Sequence, residues 1–219
     1  EKLLLTLGFN SGHEGKSLGH KDVTVLSMKV GEYFNKEDVK DEIALVSERF
    51  KGAPEYGVSD GAHNLVGGFK AAQITHHLDI SHTLANCMKH IYGNDSEFKS
   101  LTEKLGKIRL QYHLTDKAWL LPPNMRAMAR FMNLRNWVEW AEKMLGCYDS
   151  LEENMKEAYS FLLSYRKLIG ELSVCIGAIR HVERICKCKG FCKRTNALCQ
   201  EYIIRNVIGN ANNLSLIHI

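Results

Sequence analysis

The sequence predicts a mixed α/β segment over residues 1–80 and an all-helical segment over residues 81–213. Two observations carry that division. Up to residue 80, short Leu- and Val-rich runs alternate with stretches of helical periodicity, the order expected of strands separated by helices. After Ser81 nearly every segment repeats its apolar residues at helical spacing, beginning with Leu84, Cys87, Met88 and Ile91.

Residues 2–9 (KLLLTLGF) and 22–30 (DVTVLSMKV) read as two strands, joined by a Gly-, Ser- and His-rich connector from Asn10 to Lys21. Asn35 stands at an N-cap position ahead of the acidic residues Glu37 and Asp38. Val39, Ile43, Val46 and Phe50 follow at helical spacing, so a helix is expected from there to about Gly52. Pro54 interrupts, Tyr56-Gly57-Val58 forms the next strand, and Asp60-Gly61 leads into a helix over residues 62–72. A strand over residues 74–80 completes the first segment. In the second, Pro122-Pro123 forbids helix continuation and suits the entry to a new helix. Further helices are expected over 124–146, 149–188 and 193–208, with Gly170 and Gly177 as the points at which the longest can split.

Glu1 leads directly into Leu3-Leu4-Leu5-Thr6-Leu7, which reads as a strand already under way, so a preceding segment is expected. Residues 214–219 (LSLIHI) read as a translated sequencing adapter and are set apart from the fold. A content of 45% hydrophobic and 25% charged residues suits a globular chain able to bury a core. No run approaches the roughly 18 consecutive apolar residues that span a bilayer, so no membrane partner is expected and the expected location is cytoplasmic. Seven cysteines, an odd and unevenly spaced set, read as reduced thiols.

The net charge of +4 is too small to name a partner, but its distribution says more. Lys117, Arg126, Arg130 and Arg135 fall in a stretch with no acidic residue, which either faces phosphates or forms a solvated surface. From Arg180 to Arg205, seven Lys or Arg residues meet only Glu183 and Glu201. Cys186, Cys188, Cys192 and Cys199, with His181, are the residue types of a zinc site, but paired C-x-x-C ligands are missing and Gly190 reads as the residue just past a helix end. Free thiols are therefore the expectation. Trp119, Trp137 and Trp140, with Phe131, Leu134, Val138 and Leu145, read as packing residues.

The sharpest local feature is Tyr56-Gly57-Val58-Ser59-Asp60-Gly61, in which a strand delivers a carboxylate to its C-terminal end. Ligands bind at such strand ends, and a carboxylate there suits Mg²⁺, a hard cation that needs few protein ligands when phosphates supply the rest. The same Asp60 also suits an Asx turn or helix cap. Asp79 and His82, three residues apart at a strand-to-helix junction, can likewise serve a metal or phosphate, or can cap a helix and fill a structural role. His76 and His77, adjacent in a strand, must leave opposite faces.

Ser59-Asp60-Gly61-Ala62-His63-Asn64, followed by the run from His76 to Asn86, resembles the DDE transposases that carry a helical insertion in an RNase H-like core. Leu121-Pro122-Pro123 and Arg130-Phe131-Met132-Asn133-Leu134 are similar to the start of that insertion in several bacterial members. The resemblance covers roughly residues 1–150 and is diffuse beyond. It implies a partial RNase H-like mixed sheet over 1–80, lacking its first strand, followed by an all-α insertion over 81–213.

On the same resemblance, Asp60 takes the place of the second catalytic Asp and metal ligand, and His82 that of a His near the start of the following helix. Two divalent metals, Mg²⁺ or Mn²⁺, held by two Asp and one Glu, are implied for in-line cleavage and strand transfer of DNA. The implied partners are double-stranded transposon-end and target DNA, with a homo-oligomer and association with the nucleoid. The first acid is expected before Glu1. Glu139, in Arg135-Asn136-Trp137-Val138-Glu139, resembles an Arg-x-x-x-Glu spacing for the third, against a reading as a surface salt-bridging glutamate with the third acid beyond the C-terminus. Without both flanking acids this chain is expected to be inactive. An RNase H-like nuclease, and a non-catalytic DNA- or protein-binding module derived from a transposase, are the rival expectations.

Overall fold

The computed structural model describes residues 1–9, 19–124, 131, 133–190 and 192–208. The connector from Asn10, the cations Arg126 and Arg130, and the tail 214–219 therefore lie wholly or largely outside the described residues. The architecture is mixed α/β, in two compact units: Glu1–Thr83 with Arg184–Asn196, and Leu84–Glu183 with Ala197–Ile219.

In the first unit, β1 (Lys2–Gly8) and β2 (Thr24–Gly31) pair antiparallel, with Leu3 opposite Val30, Leu5 opposite Met28 and Leu7 opposite Val25. The register shifts between Thr6 and Leu7, where Leu26 is the extra residue of a bulge. Helix α1 (Lys36–Arg49) opens on the expected cap: the Asn35 side chain accepts N–H bonds from Glu37 and Asp38 at 2.8 and 3.0 Å, and the Asp38 carboxylate accepts the Asn35 N–H at 2.8 Å. Its buried face is Val39, Glu42 and Val46, whereas Phe50, read as part of that face, is exposed. Ser27 on β2 donates to the Glu42 carboxylate and Arg49 donates to the Leu26 carbonyl, tying α1 to the hairpin.

The second pair is parallel. Strands β3 (Tyr56–Ser59) and β4 (Thr75–Leu78) are joined through α2 (His63–Ala71), with Tyr56 opposite Thr75 and Ser59 opposite Leu78. Glycine sets the spacing of these layers. A Cβ on Gly57 would fall 2.0 Å from the Phe69 ring of α2, and one on Gly68 would fall 2.4 Å from Val39 of α1 and 3.1 Å from the Lys36 carbonyl oxygen. The Asn64 side chain also donates to the Phe34 carbonyl at 2.9 Å. Among the described residues the two pairs form separate two-stranded sheets, although the rings of Phe9, just past β1, and Tyr56, at the start of β3, meet edge-on at 6.1 Å.

Beyond Asp79 the described chain is helical: α3 (Ile80–Tyr92), α4 (Ser96–Tyr112), α5 (Leu134–Gly146), α6 (Glu153–Tyr159), α7 (Phe161–Ser164), α8 (Arg166–Lys189) and α9 (Lys193–Ile203). Short 3-10 turns at Ala118–Leu120 and Tyr148–Ser150 and a π turn at Ile204–Ile208 complete the set. The core of the second unit gathers Phe98, Leu101, Leu134, Trp137, Val138, Ala141, Tyr159, Leu162, Ile169 and Leu172. Burying a side chain of this size is worth roughly 1.5–3 kcal/mol.

Three further expectations are corrected. The strand read as reaching residue 80 stops at Leu78, because Asp79 caps α3. The long helix breaks at Ser160 and Tyr165, while Gly170 and Gly177 lie inside α8. Trp137 is buried and Trp140 partly so, donating to the Leu120 carbonyl at 3.0 Å, but Trp119 is exposed, so its indole is no packing residue. Among the described residues no helix is long and apolar enough to cross a membrane.

Candidate functional site

The parallel pair places two carboxylates side by side. Ser59 and Leu78, the last residues of β3 and β4, are register partners, and the Asp79 N–H donates to the Ser59 carbonyl at 2.7 Å. Asp60 and Asp79 therefore leave the C-terminal ends of adjacent strands, the edge where open α/β sheets bind ligands. Both are partly buried.

Their chemistry differs. Asp60 accepts the Ala62 N–H through Oδ1 at 2.9 Å, an Asx turn that swings the chain toward α2. Its Oδ2 has no hydrogen-bond partner among the described residues. Asp79 is fully engaged: Oδ1 accepts the Ser81 N–H at 3.3 Å, while Oδ2 accepts the His82 N–H at 3.2 Å and meets His82 Nδ1 at 2.5 Å. Partial burial pushes the Asp79 carboxyl up, but the His82 ring and the backbone N–H groups of His82 and Ser81 outweigh it, leaving its pKa below the ordinary value. An ionised Asp79 fixes the Nδ1–H tautomer of His82 and turns Nε2 away from it.

His76 and His77 leave opposite faces of β4, as alternation requires. His76 stacks on Phe69 with ring centroids 5.0 Å apart, and its Nε2 lies 2.8 Å from Ser59 Oγ. His77 is exposed against Tyr56. The Ser59–His76 contact escapes a reading of spacing because the partners lie 17 residues apart on different strands. Only the pairing of the strands shows it.

The remaining candidates stand elsewhere. Glu139, on α5 in the second unit, accepts from Arg135 Nε at 2.6 Å and lies 3.7 Å from Arg180. The Arg135 hydrogen bond leads the effects that hold its pKa below the ordinary value. Lys117 pairs with Glu152 at 2.6 Å. Thus the two described cations of the acid-free stretch, Lys117 and Arg135, each have an acidic partner drawn from outside that stretch. Among the described residues no three His, Cys, Asp or Glu side chains gather as a metal-binding group. No disulfide joins any of the seven cysteines, Cys186 and Cys199 are buried, and the His181 ring stacks on Tyr202 at 3.8 Å. Compared with protein-family models, with curated proteins and with solved structures, the chain matches none.

Proposed function

We propose that this chain is part of a DDE-type DNA transposase, with Asp60 as a metal-ligating catalytic carboxylate in a partial RNase H-like core. The observation that carries the reading is Asp60 itself: a partly buried carboxylate at the C-terminal end of a parallel strand, anchored through one oxygen and, among the described residues, without a hydrogen-bond partner at the other. The order of elements supports it too. An antiparallel hairpin, a helix, a strand ending in Asp, a helix and a parallel strand form two separate strand pairs, the pattern of an RNase H-like sheet without its first, central strand.

The residues fit Mg²⁺ or Mn²⁺ in part. Asp60 offers one oxygen ligand, and the reading requires two further acids, one from a preceding strand and one from a later helix. Divalent ions bound there would lower the pKa of an attacking water or 3′ hydroxyl and stabilise the leaving oxyanion. The protein's own share is positional. The Asx turn holds Asp60 at the strand end, and Asp79 fixes the orientation of the His82 ring at the start of α3. Because Asp79 spends both oxygens on the start of α3, it acts as a positioning residue in this reading.

The test is made in the complete reading frame. An Asp upstream of Glu1, a Glu on a helix downstream, and loss of DNA cleavage in Asp60→Asn with DNA binding retained support the proposal. Cleavage that survives Asp60→Asn contradicts it, and absence of both flanking acids would leave a non-catalytic binding module.

A further inference from the structure

In the parallel pair, His76 of β4 stands opposite Gly57 of β3, and Ser59 follows two residues on along the same face. Gly57 leaves space there, and the Phe69 ring of α2 fills it, 2.0 Å from where a Cβ would stand. The same ring stacks on His76, with centroids 5.0 Å apart and planes 23° apart. The imidazole is thus held against α2, and its Nε2 lies 2.8 Å from Ser59 Oγ. Ser59 in turn donates through Oγ to the Asp60 carbonyl at 2.9 Å. A hydroxyl has one proton to give. With that proton on the Asp60 carbonyl, the contact with His76 needs the ring nitrogen as donor, which selects the Nε2–H tautomer.

The Asp60 carbonyl shares a rigid peptide plane with the Gly61 N–H, so the rotation of that plane sets where the next N–H, that of Ala62, falls. The Ala62 N–H is the group that anchors Asp60 Oδ1 at 2.9 Å. We propose that His76 is a positioning residue for Asp60: through Ser59 it fixes the turn that holds the Asp60 carboxylate in place for a divalent cation. The inference rests on the reading of Asp60 as a metal ligand and adds to it a side chain that touches neither the metal nor the substrate. Hydrogen-bond partners standing behind a metal ligand typically carry about 10–100-fold of the metal affinity.

The test is titration of Mn²⁺ into the 219-residue chain, read by broadening of the amides of residues 59–62, beside Asp60→Asn, His76→Phe, His76→Gln and Ser59→Ala. Phe keeps the stack on Phe69 and loses the donor, whereas Gln loses the stack and keeps an N–H at the reach of Nε2. His76→Phe and Ser59→Ala are expected to need roughly 10–100-fold more Mn²⁺ for the same broadening, and His76→Gln to stay within about threefold of the parent. Ser59→Ala keeps the imidazole, so its loss separates positioning from direct ligation by His76. Without metal, the Ala62 amide is expected to exchange about fivefold faster in His76→Phe and Ser59→Ala, the weight of one ordinary hydrogen bond, while α1 amides keep the parent's rates. Broadening that Asp60→Asn abolishes but His76→Phe and Ser59→Ala leave unchanged overturns this inference alone, as does a loss in His76→Gln as large as in His76→Phe. Broadening absent from residues 59–62 in the parent overturns the metal reading and this inference with it. If the variants fail to fold, the ring-nitrogen chemical shifts of the parent decide: a neutral His76 protonated on Nε2 supports the relay, and one protonated on Nδ1 overturns it.

Discussion

Asp79 and His82 are joined twice, once between carboxylate Oδ2 and ring Nδ1 at 2.5 Å and once between the same oxygen and the backbone N–H at 3.2 Å. One side chain thus caps α3 and sets the orientation of a histidine. Replacing Asp79 by Ala removes the cap and should cost about 1 kcal/mol in a urea titration at neutral pH. The pH dependence follows from the direction of the shift. A folded-state pKa below the unfolded value of about 3.9 gives a stabilisation present above that pH and lost as pH falls through the folded pKa. The parent and Asp79→Ala should therefore differ in denaturation midpoint at pH 7 and converge in strong acid. A constant gap at all pH values would contradict the linkage.

The cap at the start of α1 gives a separate prediction. Asn35 and Asp38 satisfy three backbone N–H groups between them. Asn35→Ala should destabilise the first unit by about 1 kcal/mol, whereas Asn35→Asp, which keeps the acceptor, should cost less than half of that. Chemical denaturation followed at α1 probes checks it.

Close approach of α1 and α2 depends on Gly68. Its missing Cβ would lie 3.1 Å from a backbone oxygen, which cannot rotate aside, as well as against Val39. Gly68→Ala should therefore destabilise by about 1–3 kcal/mol despite the better helix propensity of Ala. A stabilised Gly68→Ala protein would mean the two helices separate freely.

The three tryptophans should differ sharply. Trp137 sits in the core at 2% exposure, and Trp137→Ala should cost about 3–5 kcal/mol. Trp119 is 78% exposed, and Trp119→Ala should fall within about 0.5 kcal/mol of the parent. Paired thermal melts decide it.

How much of this was legible in the sequence depends on the range of the interaction. The Asn35 cap, the strand ending at Asp60 and the left-handed Gly190 at φ 70° rest on neighbours within a few residues, and the sequence displays them. The course of α8 does not. Gly170 and Gly177 each weaken a helix by about 1 kcal/mol in isolation, but burial of Ile169 and Leu172 beside them outweighs that cost. The breaks at Ser160 and Tyr165 carry no glycine or proline to announce them. At the site, the positions of Asp60 and Asp79 were readable, whereas the Ser59–His76 contact and the Lys117–Glu152 ion pair, 35 residues apart, exist only once the chain is folded.

Asp60 allows the central claim to be tested without catalysis. Asp60→Asn keeps an oxygen to accept the Ala62 N–H, so the turn and the fold should stay within about 0.5 kcal/mol of the parent, while the anionic ligand is lost. The direct measurement is paramagnetic broadening of backbone amide resonances by substoichiometric Mn²⁺. Broadening centred on residues 59–62 and 78–82 in the parent, and absent in Asp60→Asn, is the predicted result. Broadening that is scattered over the surface carboxylates, or unchanged in Asp60→Asn, would contradict the assignment of Asp60 as a metal ligand.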